Sequence, residues 1–101
     1  MSKRYWKSFV RETSALLDLL ERFDIEENFV TILSQLGDKL SLDSSLPPHE
    51  LLHAFEGVTT SSDIISWYIH EIIRYRATLR LDCLKRLLYK YAFKLAADVR
   101  E

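Results

Sequence analysis

Residues 58–101 read VTTSSDIISWYIHEIIRYRATLRLDCLKRLLYKYAFKLAADVRE after the last glycine, a stretch with neither Gly nor Pro. Nothing in it punctuates a helix, and no run alternates apolar with polar residues as a half-buried strand does. The periodicity is helical but not uniform. Ile64, Ile65, Tyr68, Ile69, Ile72 and Ile73 make one broad apolar side, and Leu81, Leu84, Leu88, Tyr91, Leu95 and Val99 make a second stripe. At about 100° per residue the second stripe lies well over roughly 90° from the first. A straight helix cannot turn both toward one core. The spacing predicts a kink or break near residues 77–82, with a fifth helix beyond it. The alternative is one helix of about 58 Å, packed on its own domain at one end and on a second chain at the other.

Upstream, Trp6, Phe9, Val10, Thr13, Leu16, Leu17 and Leu20 recur at intervals of three and four, which predicts a first helix over about residues 3–23. Asp24 followed by Glu27 has the spacing of a capping box for a second helix through Phe29, Val30, Leu33, Leu36 and Leu40, with Gly37 as its expected stop. Residues 38–47 are the one linker-like stretch. Pro48 suits the first position of a short third helix that Gly57 ends, and Thr60 with Asp63 offers a cap for the fourth. The expected fold is all-α: a compact bundle of four or five helices forming a single domain over residues 1–101.

Composition narrows the class of function. The chain has 101 residues, 48% of them hydrophobic, and its net charge of −1 conceals strong segregation. Residues 1–11 carry Lys3, Arg4, Lys7 and Arg11 without an acid; residues 12–73 hold twelve acids against Arg22 and Lys39; residues 74–101 hold eight bases against Asp82, Asp98 and Glu101. Two basic ends flank an acidic middle. A lone cysteine, Cys83, cannot form an internal disulfide, which favours a reducing compartment. Signal-peptide character and membrane-length apolar runs are both missing from the sequence. The expectation is an intracellular protein, cytoplasmic or nuclear, with no membrane attachment.

His49-Glu50-Leu51-Leu52-His53 matches H-E-x-x-H, in which two imidazoles one turn apart hold a zinc ion and the glutamate acts as general base. Glu71, eighteen residues past His53, stands where a third ligand would be sought. Yet no strand is available to hold substrate, and the motif falls on a helix of only about nine residues whose apolar side is Leu51, Leu52 and Phe55. The histidines are expected on the wet side as a plain surface pair, with no bound metal or cofactor. Cys83 is expected to be a half-buried thiol, and His70 a hydrogen-bonded boundary residue.

The last helix offers more. Arg86, Lys90 and Lys94 align at i, i+4 and i+8, and Tyr89 and Phe93 project beside them, away from the Leu84–Leu88–Leu95 side. Arg76 and Arg80 would extend that stripe if the helix ran straight. These five residues, Arg86, Tyr89, Lys90, Phe93 and Lys94, are the candidate partner-binding set. The surplus of large apolar and aromatic residues on the last two helices, together with the lack of a credible catalytic set, favours a non-enzymatic, regulatory or adaptor module that binds a protein partner through helix faces. The displaced apolar stripe adds an expected homodimer. Nucleic-acid binding by the basic helix ranks second, since cations suit phosphates and rings stack on bases. A zinc-dependent hydrolase ranks third.

Overall fold

The computed structural model describes residues 3–23, 26–58 and 61–99. It is all-α. Five helices follow one another: α1 (Lys3–Glu21), α2 (Glu26–Lys39), α3 (Pro48–Phe55), α4 (Ser62–Thr78) and α5 (Asp82–Val99), and no strand occurs among the described residues. The chain divides into two units, Met1–Thr60 and Ser61–Glu101.

In the first unit the apolar stripe of α1 is buried as its spacing requires, with Leu17 and Leu20 at zero exposure and Thr13 buried among them. Phe29, Ile32, Leu33 and Leu36 from α2 and Leu51, Leu52 and Phe55 from α3 complete that core. Trp6 stacks on Phe9 at 4.6 Å between ring centroids, and its indole N–H donates to the Phe55 carbonyl at the end of α3. This buried polar tip is thereby satisfied, which is what lets a tryptophan sit so deep.

Gly37 does not stop α2. The helix runs on to Lys39 and closes with Ser41 at φ 60°, where Ser41 N–H donates to the Asp38 carbonyl and Leu42 N–H to the Gly37 carbonyl at 2.9 Å. These two bonds are the paired six-to-one and five-to-two links of a Schellman cap, with a serine in the left-handed position. Gly37 serves packing instead: a Cβ there would lie 3.1 Å from Leu51 Cδ1, so its bareness lets α3 approach. Asp24 and Thr60, read as caps, lie outside the described residues. Ser61 occupies the N-cap position of α4 in extended conformation and makes no side-chain cap bond. Pro48 opens α3 as expected.

The second unit is a hairpin of α4 and α5. The break falls inside the expected window: Leu79 turns extended (φ −75°, ψ 146°) and α5 begins at Asp82. Each helix now has its own orientation, so the two stripes that one straight rod would splay apart can meet. Ile65, Tyr68, Ile72 and Tyr75 are buried on α4, and Leu84, Leu88, Tyr91, Ala92 and Leu95 on α5. Tyr68 and Tyr91 meet edge-to-face, with their hydroxyls 3.0 Å apart. Two residues assigned to the stripes fall outside them. Ile73 is 45% exposed, on the flank of α4, and Leu81 is 46% exposed, in the break itself.

Candidate functional site

The outward side of α5 follows from the inward one. Leu84, Leu88, Tyr91 and Leu95 fix the buried direction, and at about 100° per residue Arg86, Tyr89, Lys90 and Phe93 fall close to the opposite direction, with Lys94 on the flank. All five are exposed, and Tyr89 and Phe93 reach 55% and 68%. Most large hydrophobic side chains in this chain are buried. Of the five exposed ones among the described residues, four belong to the second unit: Ile73, Leu81, Tyr89 and Phe93. Aromatic rings one turn apart on the wet side of a helix contribute nothing to its own core.

Arg76 joins this face from α4. Its Nε–H donates to the Lys85 carbonyl at 2.8 Å, and its guanidinium carbon lies 5.2 Å from the centre of the Tyr89 ring. A cation at that distance is attracted by the ring quadrupole and holds the ring in place. Only in a straight helix would Arg76 extend the basic stripe of Arg86, Lys90 and Lys94. The break instead folds it back across the hairpin, a contact that no local spacing could reveal. Arg80 falls in the connection between the helices. Cys83 is exposed rather than half-buried, because it precedes the first inward position of α5, Leu84.

A separate feature, in the first unit, is a cleft of about 710 Å³ lined by residues of α1, α3 and the α3 C-cap that include Lys7, Arg11, Asp18, His49, His53 and Glu56. The H-E-x-x-H side chains do not converge there on one point. His49 Nε2 stands 3.3 Å from Asp18 Oδ1 and 3.4 Å from Glu21 Oε1, whereas His53 Nδ1 stands 3.8 Å from Glu56 Oε2. The two imidazoles thus have separate carboxylate neighbours. Among the described residues, the potential ligand set grouped by geometry is Asp18, Glu21 and His49, all exposed, and it lacks His53. Glu71, the supposed third ligand, is engaged by Arg74 on its own helix at 3.0 Å. Asp18 and Glu21 meet His49 only through the crossing of α1 and α3, which no local spacing reveals. His70 donates from Nδ1–H to the Ser66 carbonyl, 2.7 Å away, as an ordinary boundary residue does.

No family model, no curated protein and no solved structure matches this chain. No described helix is long and apolar enough to cross a membrane.

Proposed function

We propose that this protein is a non-enzymatic interaction or regulatory module that binds another protein through the outer face of α5, using Arg86, Tyr89, Lys90, Phe93 and Lys94. The observation that carries the reading is the pair Tyr89 and Phe93, 55% and 68% exposed at the centre of that face. Protein interfaces concentrate their binding energy in aromatic and arginine side chains surrounded by a polar rim. Here two rings have cations beside them, and one ring is already held by Arg76. The reading asks for no self-association, because the apolar stripe that suggested a homodimer is used within the hairpin. The experiment is affinity capture from the native host with wild type and the double variant Tyr89→Ser/Phe93→Ser, at matched helix content. A protein retained by wild type and lost by the variant supports the reading. Identical captured sets would count against it.

Nucleic-acid binding is the second reading, favoured by the i, i+4 alignment of Arg86 and Lys90. Nuclease treatment before capture separates the two. Loss of all retained material on nuclease treatment would move nucleic acid to first place.

A further inference from the structure

We infer that the occupant of the α5 face is an acidic amphipathic helix of another protein, laid along Tyr89 and Phe93 with its carboxylates against Arg86 and Lys90. This rests on the reading of α5 as a docking face and goes on to name the chemistry of what docks there.

Charge is the first argument. Between Asp82 and Asp98, α5 holds Lys85, Arg86, Lys90 and Lys94 and no acid. Arg76 adds a cation over Tyr89. A partner that desolvates the two rings must approach Arg86 and Lys90, and an acidic rim compensates these two cations as water is excluded. Shape is the second argument. The rings are four residues apart, so they project as consecutive knobs of one ridge about 6 Å apart along the axis. Ridges of this spacing fit the grooves between i and i+4 side chains of another helix. Preorganisation is the third. Arg76 is tethered to the Lys85 carbonyl and rests against Tyr89, which lowers the entropy lost when the ring is immobilised by a partner.

The other occupants fit less well. A second copy using the same face would set one row of cations against another, which costs rather than stabilises. A second copy offering its acidic residues 12–58 would cover the rings poorly, because Phe23 is the one exposed large hydrophobic among the described residues there. Nucleic-acid interfaces are more polar and more strongly basic than protein ones. The centre of this face is instead Phe93, with Tyr89 already stacked against a guanidinium.

The test uses the full chain and synthetic helical peptides of about five turns, roughly 18 residues. The first peptide has a leucine stripe flanked by glutamates, the second has the same stripe flanked by lysines, and the third is the first one scrambled to destroy the stripe. A short DNA duplex is the fourth probe. Fluorescence anisotropy should show the acidic striped peptide binding at least about tenfold more tightly than each of the others. Tyr89→Ser/Phe93→Ser should abolish that binding. Arg86→Glu/Lys90→Glu should weaken it by about tenfold or more while reversing the preference toward the lysine-flanked peptide. If the lysine-flanked peptide binds wild type as well as the acidic one does, and binding still needs Tyr89 and Phe93, the acidic occupant is wrong and the docking face stands. Tighter binding of the duplex would replace the occupant with nucleic acid. If no probe depends on Tyr89 and Phe93, both the occupant and the face fall.

Discussion

Ser41 sits at φ 60°, a backbone region that costs an L-residue with a Cβ roughly 1–2 kcal/mol. Ser41→Gly should therefore stabilise the chain by about 0.5–1 kcal/mol, after allowing for the extra freedom glycine gains when unfolded. Thermal unfolding should show a rise of about 2–8 °C, and a fall would mean that the serine side chain matters more than its strain. Nearby, Asp43 accepts from the Ser45 hydroxyl at 2.5 Å and from its backbone N–H at 3.0 Å, and these bonds hold its carboxyl below the usual carboxylate value. A depressed folded value means that the group's contribution is present above its unfolded pKa and is lost as pH falls through the folded one. NMR titration should place the Asp43 midpoint below those of ordinary aspartates, and Ser45→Ala should raise it. His49 lies between two exposed carboxylates on α1, so His49→Ala should cost less than about 1 kcal/mol, the range of surface ion pairs. A loss of several kcal/mol in a denaturant titration would give that cluster a weight that exposed charges do not have. None of these details was legible in the sequence. A glycine about one turn before the cap competes with Ser41 as the expected stop, and the neighbours of His49 come from a helix some thirty residues earlier.

At the scale of elements the sequence carried far more. The mismatch between the Ile65–Tyr68–Ile72 and Leu84–Leu88–Leu95 stripes located the α4–α5 break without any Pro or Gly to announce it, and burial on both sides of the window decides against the single straight helix that the sequence left as the alternative. What it lacked was the edge of each stripe. Ile73 and Leu81 look like core residues by type, but one lies on a flank and the other in the connection, where apolar character does not determine burial. The break itself can be tested by proline. Leu79 already has the extended conformation that a residue before proline prefers. Arg80→Pro should then cost less than about 1 kcal/mol, whereas the interior of a continuous helix would lose about 3 kcal/mol or more. Within the hairpin, Tyr68→Phe removes one hydroxyl from the buried Tyr68–Tyr91 pair and should cost about 1 kcal/mol with no change in helix content.

For the molecule as a whole, a near-neutral charge hides a basic helical face centred on two exposed rings, and its response to salt should reveal what it meets. If the ligand were nucleic acid held by Arg86, Lys90 and Lys94, log K would fall with log salt at a slope of about −2 to −3, roughly −0.7 to −0.9 per phosphate contact. An acidic protein surface should give a shallower dependence, because burial of Tyr89 and Phe93 is not screened. Reversing all three cations to Glu should weaken binding in either case and leave the circular dichroism spectrum unchanged. The most direct measurement places a benzophenone side chain at position 93 of α5, and in a separate variant at position 35, exposed on α2, for photo-cross-linking in the native host. A discrete cross-link to another protein is expected from position 93 and none from position 35. Equal labelling from both positions, or cross-links from position 93 to nucleic acid alone, would contradict it.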